Sequence, residues 1–457
     1  MLFNSLEFGL FALVFFFVYF LVYRWSRVRS LWILACSLFF YGWWSWWYLL
    51  LLLLSGGIDF CSGLYIYAYP RHKKWALYLS LTSNLGLLFL FKYLDWVVNV
   101  INNYLLLFSG QSDLLRTPAA FALLPVGISF YTFQSMSYTL DIYRQKLKPT
   151  RSPILFFTYL AMFPQLVAGP IVRAKVLLED LRQPSWDYSS AYAGLRRVAF
   201  GLFKKVVIAD TLSTFVDHAF SGSYHAGGFF FWWAATLAFA VQIYCDFSGY
   251  SDIAIGLALW MGVKFPENFN HPYLAKSLKD FWGRWHISLS TWFRDYVYIP
   301  LGGNKGSEKR VAINLWITML LSGLWHGAAG HFVIWGAVHA GALSLEKRWA
   351  YLQNRGFAFL VVMLGWVFFR CEDLSQALAI CFKLLDITQM NVTDLHRIPL
   401  SCFVILAGYG AAEVLYTHRS RWSLAHRKKM ERVCIATALT ICMFYRGDGG
   451  AFIYFQF

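Results

Sequence analysis

Long apolar runs alternate with short clusters of Lys and Arg along the chain, and this alternation constrains the fold more than any other feature. An apolar run of about 20 residues is long enough to cross a bilayer as a helix. The chain is 58% hydrophobic and 14% charged, whereas soluble domains are about 25% charged. We therefore expect an all-α, polytopic membrane protein with one membrane domain over residues 1–457.

The basic residues lie between the apolar runs rather than on one surface of a soluble domain. A formal net charge of +16 could suit nucleic-acid binding, but this distribution instead follows the positive-inside rule, so no nucleic-acid partner is expected. Arg24, Arg27 and Arg29 follow the first run, which predicts a cytoplasmic loop there and an N-terminus outside. No small-residue cleavage site follows that run, so we expect it to be retained.

The apolar runs predict about ten to twelve crossings, with re-entrant and interfacial helices around a central tunnel. The predicted helical segments are residues 8–23, 31–54, 58–69, 75–93, 96–108, 118–142, 154–172, 194–219, 228–262, 356–369, 400–416 and 433–444. The basic cluster at 418–432 predicts a cytoplasmic loop before the last of them.

Prolines interrupt the segment at 154–172, where Gln165 lies between Pro164 and Pro170. Such a segment could be re-entrant and line a cavity, in which case Gln165 could contact substrate. It could equally be an ordinary Pro-kinked helix whose glutamine is hydrogen-bonded internally. The sequence leaves both interpretations open.

Two carboxylates, Asp246 and Asp252, flank the residues Ser248, Gly249 and Ser251 inside the predicted helix at 228–262. We expect that helix to break there. The carboxylates could orient a histidine or a substrate hydroxyl, or they could cap the broken helix ends.

His326 lies where the apolar run 311–325 meets the small residues 327–330, and a second apolar run follows without a polar linker. Each run is shorter than a full crossing, and fifteen helical residues rise about 22 Å. The spacing predicts that His326 lies deep, at a Gly-containing turn between two short or tilted spans. A histidine at that depth is a candidate functional residue.

His286 lies in a segment, 274–296, whose apolar residues recur every three or four positions. That spacing predicts an amphipathic helix at the membrane surface. His286 falls beside its aromatic face and should be buried, whereas Arg284 and Arg294 fall towards water. These arginines could contact an anionic acyl donor, or they could contact lipid headgroups.

Several long motifs resemble the membrane-bound O-acyltransferase (MBOAT) family, in particular its bacterial branch of alginate O-acetylation membrane protein-like sequences. The matching stretches are LPVGISFYTFQSMSYTLDIYR (124–144), FPQLVAGPIVR (163–173), DFSGYSDIAIG (246–256), PENFNHPY (266–273), DFWGRWHISLSTWFRDYVYIPLGGN (280–304), LWHG (324–327) and FIYFQF (452–457). The resemblance implies an integral membrane O-acetyltransferase of the bacterial inner membrane. Its acceptor would be an extracytoplasmic polysaccharide of the alginate, cellulose or peptidoglycan type.

Acyl transfer from a thioester to a hydroxyl needs a base that removes the hydroxyl proton, and histidine suits this task. With the resemblance, His326 is the expected base, and His286 is expected to orient the donor or acceptor or to polarise the thioester carbonyl. The donor would be acetyl-CoA or an acyl-carrier thioester. No bound cofactor or metal is expected, since a site of His326, His331 and a carboxylate lacks an identifiable further ligand.

The resemblance also implies partners: membrane lipid, periplasmic acetyltransferases or polymer-handling proteins, and a possible cytoplasmic acyl carrier protein. Two other functions remain open at this point. One is D-alanyl transfer to teichoic acid by the same architecture. The other is a transporter or flippase whose broken helices form a binding site without chemistry.

Overall fold

A computed structural model describes residues 1–109, 114–121, 123–221, 227–445 and 452–453. It is 78% helical, and the described residues contain no strand. Helices α1 to α10 are Leu6–Val22, Ser26–Gly42, Trp46–Ala68, Lys73–Leu88, Leu94–Ser109, Ile128–Tyr143, Pro153–Ala161, Phe163–Leu166, Ala174–Arg182 and Tyr188–Leu202. Helices α11 to α20 are Asp210–Phe220, Phe229–Trp260, Leu278–Trp282, Ile287–Phe293, Glu308–His326, Gly330–Arg348, Arg355–Arg370, Leu374–Leu385, Leu400–His418 and Leu424–Phe444.

Four helical segments among the described residues are long and apolar enough to cross a membrane: Trp46–Ala68, Lys73–Phe108, Phe229–Trp260 and Leu400–Arg421. The chain is thus an all-α, polytopic membrane protein, as predicted. Helices α1 and α18 are shorter apolar helices. The predicted ten to twelve crossings and the central tunnel remain predictions.

The chain divides into two compact units, one made of residues 1–194 with 254–266 and the other of 195–253 with 267–457. In the first unit, helices α3, α4 and α6 pack around Asp59, which is fully buried. Its carboxylate accepts hydrogen bonds from Ser80 Oγ (2.5 Å), Asn84 Nδ2 (2.8 Å) and Ser135 Oγ. These bonds supply the polar partners that a buried carboxylate requires.

Two predicted pairs of spans are wrong in their boundaries. The chain turns at residues 43–45 rather than near 55–57, because Gly56 lies inside α3 and allows close packing. A Cβ at Gly56 would lie 2.5 Å from Leu160 Cδ2. The segments 75–93 and 96–108 do not form two crossings, since α4, the π-helical segment Phe89–Tyr93 and α5 follow one another without a turn.

Further differences concern the C-terminal part of the chain. Helix α18 was not predicted. Helix α20 starts at Leu424, so most of the basic cluster at 418–432 begins a helix instead of forming a loop. The motif at 452–457 falls mainly outside the described residues.

Candidate active site

His286 occupies a break between two short helices, so the predicted continuous amphipathic helix at 274–296 is wrong. Helix α13 ends at Trp282, and His286 precedes α14 with a left-handed backbone (φ 42°, ψ 53°). A left-handed conformation costs a non-glycine residue about 1–2 kcal/mol. The prediction that His286 is buried is confirmed, because only 1% of it is exposed.

Asn268 holds this break in place from a different part of the sequence. Its Oδ1 accepts hydrogen bonds from the Ser288 main-chain N–H (3.2 Å) and from Ser288 Oγ (2.8 Å), and it lies 3.1 Å from His286 Nδ1. The Asn268 carbonyl also accepts from the Ile287 N–H at 2.9 Å. Since an amide oxygen can only accept, the hydrogen of the neutral imidazole lies on Nδ1, and the Nε2 lone pair points away from Asn268.

Burial keeps His286 uncharged. It lowers the pKa of His286 to about 3, because a cation is poorly solvated among apolar groups. The ring of Phe247 meets the imidazole edge-on at 4.7 Å, and Phe269 lies against it at 6.4 Å. A neutral imidazole in this setting acts as a hydrogen-bond donor through one nitrogen and an acceptor through the other.

His326 is the last residue of α15, and α16 begins four residues later at Gly330. This confirms that His326 lies at a Gly-containing turn between two helices. Only 4% of His326 is exposed. Its ring contacts Trp335 at 5.1 Å and Phe369 at 5.2 Å, both nearly edge-on.

Glycines let the two helices of this hairpin approach closely. A Cβ at Gly323 would lie 2.2 Å from the Phe332 carbonyl oxygen, and one at Gly336 would lie 2.5 Å from the Met319 carbonyl oxygen. A Cβ at Gly327 would lie 1.9 Å from the Phe332 ring. Small residues are the usual means of bringing two helix backbones together within a membrane protein. Here the close approach of α15 and α16 determines the position of His326 at the end of α15.

One indole connects the two histidines. The Trp325 ring lies 5.9 Å from the His286 ring and 5.1 Å from the His326 ring. The structure thus brings together, around Trp325, two histidines that are forty residues apart in the sequence. Sequence spacing predicted each histidine separately but did not predict Trp325 or Asn268 as their neighbours.

Asp246 and Asp252 lie in an unbroken helix, so the predicted break at 248–251 and the capping role are wrong. Helix α12 is continuous over its 32 residues. Lys205 Nζ lies 2.7 Å from Asp246, and Lys204 Nζ and Arg197 each lie 2.5 Å from Asp252. The π-helical segment Phe203–Ala209 places the consecutive Lys204 and Lys205 against this one helix. Ion pairs with these basic side chains, rather than capping of helix ends, allow α12 to carry two buried carboxylates.

Arg284 and Arg294 form local ion pairs. Arg284 Nε donates to Asp280 at 2.8 Å and Arg294 Nε donates to Asp295 at 2.8 Å. The Arg294 side chain is 59% exposed, in agreement with its predicted position towards water, whereas that of Arg284 is only 26% exposed. A role of either residue in donor binding remains a prediction.

Gln165 lies in the other compact unit, on the short helix α8 that follows an interruption at Met162. The segment is therefore interrupted, as predicted. Gln165 Nε2 donates to the Tyr159 carbonyl at 2.8 Å, whereas its buried Oε1 has no hydrogen-bond partner among the described residues. The hydrogen bond of Nε2 fits the interpretation that the glutamine is bonded internally. Contact of Gln165 with substrate remains a prediction.

Comparison with known proteins agrees with this architecture. Residues 38–386 match the profile described as "MBOAT, membrane-bound O-acyltransferase family". The chain belongs to the membrane-bound O-acyltransferase family. It is 35% identical to "Probable alginate O-acetylase AlgI" of Azotobacter vinelandii, over 94% of this chain and 95% of the relative. It is also 35% identical to "Peptidoglycan O-acetyltransferase" of Helicobacter pylori, over 80% of this chain and 76% of the relative.

A more distant MBOAT relative is "Teichoic acid D-alanyltransferase" of Bacillus subtilis, with 29% identity over 53% of this chain and 66% of the relative. The protein is therefore an integral membrane O-acyltransferase, and its similarity to O-acetylating relatives supports O-acetyl transfer as its reaction. It uses an acyl donor. Membership of an acyltransferase family favours an enzyme over a transporter or flippase.

Proposed function

We propose that the protein takes an acetyl group from a cytoplasmic thioester, either acetyl-CoA or an acyl-carrier thioester, and passes it towards hydroxyls of an extracytoplasmic polysaccharide. The names of the two O-acetylating relatives support a polymeric acceptor of the alginate or peptidoglycan type. The observation that carries the proposal is the pair of buried histidines, His286 and His326, in contact with one indole, Trp325.

In this proposal His326 is the general base. The hydroxyl oxygen attacks the thioester carbon while the imidazole takes the hydroxyl proton, and the proton then passes to the departing thiolate. Burial among Trp325, Trp335 and Phe369 suits this task, because it excludes water that would otherwise hydrolyse the thioester.

The proposed role of His286 is to orient a substrate hydroxyl or N–H group. Its Nδ1–H faces Asn268, so Nε2 is the ring nitrogen that carries the lone pair. That lone pair can accept a hydrogen bond from a substrate. Polarising a carbonyl requires a donor instead, so the geometry favours orientation over the polarising role also considered from the sequence.

The remaining parts of the proposal concern the two sides of the membrane. Arg284 and Arg294 would contact phosphates of the donor or of lipid headgroups on the cytoplasmic side, and Asp246, Asp252 and Gln165 would support substrate binding indirectly. The chain would lie in a bacterial inner membrane with its N-terminus outside. Periplasmic acetyltransferases or polymer-handling proteins would complete the transfer, and an acyl carrier protein could supply the donor.

The test compares His326→Ala with wild type and with His331→Ala, a neighbouring histidine that is only partly buried. Each variant is expressed in a host that lacks its own membrane O-acetyltransferase but keeps its periplasmic acetyltransferases and polymer-handling proteins, and ester-linked acetate on surface polysaccharide is measured per amount of folded protein. Loss of general-base catalysis should lower acetylation by about 10²–10⁴-fold in His326→Ala, with His331→Ala close to wild type.

Acetylation by His326→Ala at the wild-type rate would refute the assignment of the base. The Bacillus relative supports one alternative, the transfer of D-alanine. If wild-type protein attaches D-alanyl esters, and no acetyl esters, to a host polymer when a D-alanyl carrier protein is supplied, that alternative replaces acetyl transfer.

A further inference from the structure

Two more polar rings continue the site from His326 along α16. Trp335 and His339 are one helical turn apart and therefore share a face of the helix. Their rings lie 4.8 Å apart, and the Trp335 ring lies 5.1 Å from that of His326. Trp335 is 1% exposed and His339 is 2% exposed. The site thus contains a third buried histidine that the proposed proton transfer does not use.

One buried polar atom of each ring has no hydrogen-bond partner within the described part of the chain. This holds for Trp335 Nε1 and His339 Nδ1, and also for Nε1 of Trp282, whose ring contacts both at 5.6 and 5.1 Å. Buried polar atoms are nearly always hydrogen-bonded. Trp366, another buried tryptophan in this unit, obeys the rule, since its Nε1 donates to Tyr273 Oη at 3.1 Å.

The backbone of Gly365 on α17 lies against the polar edges of both rings. A Cβ at Gly365 would lie 2.8 Å from His339 Nε2 and 3.5 Å from Trp335 Nε1. The two nitrogens therefore face the same stretch of backbone, which carries no side chain. Neutral imidazole and indole can each present one N–H donor, so the two rings can present two converging donors beside His326.

We propose that Trp335 Nε1–H and His339 Nε2–H bind the carbonyl oxygen of the acyl donor, where negative charge develops during transfer. This inference rests on the proposed acetyl transfer. As the acceptor oxygen bonds to the carbonyl carbon, the C=O electron pair moves onto the oxygen held by Trp335 and His339. When the pair returns, the C–S bond breaks, and the thiolate leaves with the proton that His326 removed. The products are an ester and a thiol.

Donors placed in advance for such an oxygen stabilise the transition state more than the ground state, so their loss should lower kcat and leave the donor KM almost unchanged. Trp335→Phe removes the N–H and keeps an aromatic ring, and His339→Leu removes the imidazole donor. We expect each to lower kcat by about 10²–10³-fold. His339→Gln retains an N–H donor at a similar reach and should recover at least about a tenth of the wild-type kcat.

The experiment uses the full chain in proteoliposomes with radiolabelled acetyl-CoA and with the periplasmic proteins and polysaccharide of the assay host, and it reports kcat and KM per folded protein. Trp366→Phe is the matched control, because it removes a buried indole N–H that already has a protein acceptor. It should lower thermal stability and keep kcat within about threefold of wild type. If Trp335→Phe does not fold, Gly365→Ala tests the same place by adding a methyl group against both rings.

Values of kcat within about threefold of wild type in both Trp335→Phe and His339→Leu would overturn the inference. So would losses that simply parallel the loss of thermal stability seen in Trp366→Phe. These outcomes differ from failure of the proposed function. If His326→Ala is inactive while the Trp335 and His339 variants are active, only the carbonyl-binding role is wrong; if His326→Ala is active, the proposed base is wrong.

Discussion

Replacing Gly323 by Ala should displace His326 without removing any atom of the active site. Gly323 lies three residues before His326 on α15, which is about 4.5 Å along the helix axis. The added Cβ would lie 2.2 Å from the Phe332 carbonyl oxygen, whereas ordinary contacts begin at 3.4 Å. The helices must therefore separate by about 1.2 Å, because a main-chain oxygen cannot rotate away as a flexible side chain could.

The expected loss of activity follows from that displacement. A misplacement of about 1 Å in a catalytic group can cost about 100-fold in rate. Overpacking should cost about 1–3 kcal/mol of stability, offset by about 1 kcal/mol because Ala favours a helix more than Gly does. Gly323→Ala should thus fold with a net loss of stability of about 0–2 kcal/mol while its acetyl-transfer rate falls by about 100-fold.

The matched control is Gly341→Ala on α16, where the added Cβ would meet only Trp316 at an ordinary 3.8 Å. Both variants are purified in detergent, their melting temperatures are measured by fluorescence-detected size exclusion, and ester-linked acetate formed per folded molecule is determined. Gly341→Ala should match wild type in rate. A Gly323→Ala rate within threefold of that control would show that close approach of the two helices does not position His326.

Three further perturbations test the buried polar groups. Lys205→Met leaves Asp210 and Asp246 buried without their shared cation and should cost about 3–5 kcal/mol, measured by unfolding in detergent; a cost below 1 kcal/mol would contradict this. Asp59→Leu should cost about 3 kcal/mol or more because three buried donors lose their acceptor, and Asp59→Asn should cost less. Folded His286 has a pKa of about 3 against about 6.5 when unfolded, so acid should destabilise the fold. Its stability should fall by up to about 1.4 kcal/mol per pH unit below pH 6.5, and this slope should be smaller in His286→Gln.

The sequence predicted the class of fold because every segment that crosses a bilayer must be apolar, and the hydropathy of each segment shows this directly. It predicted helix ends less well, since a helix that is apolar on all sides has no periodicity to mark its limits. Gly56 resembled a break but serves packing against Leu160. The π-helical segment Phe89–Tyr93 joins two helices that had been predicted as separate crossings, and no residue pattern indicates such a segment.

The candidate site was predicted in part for a similar reason. His326 could be placed because the change from apolar to small residues is local to it. The break at His286 depends on Asn268, 18 residues away, and the ring contacts of Trp335 depend on how α15, α16 and α17 pack. Such contacts are properties of the tertiary structure, so neither hydropathy nor spacing indicates them.

The ion pairs of α12 have a consequence for biosynthesis. Arg197 and Lys204 precede Asp252 by 55 and 48 residues, so both cations leave the ribosome before the carboxylate they neutralise. At about 5–20 residues per second, 48 residues take roughly 2–10 s to synthesise. An unpaired carboxylate at the centre of a span opposes insertion by about 2.5–3.5 kcal/mol. Because of this order along the gene, the cations that pair with Asp252 are already synthesised when α12 enters the membrane. A circular permutant beginning with α12 would lack this advantage.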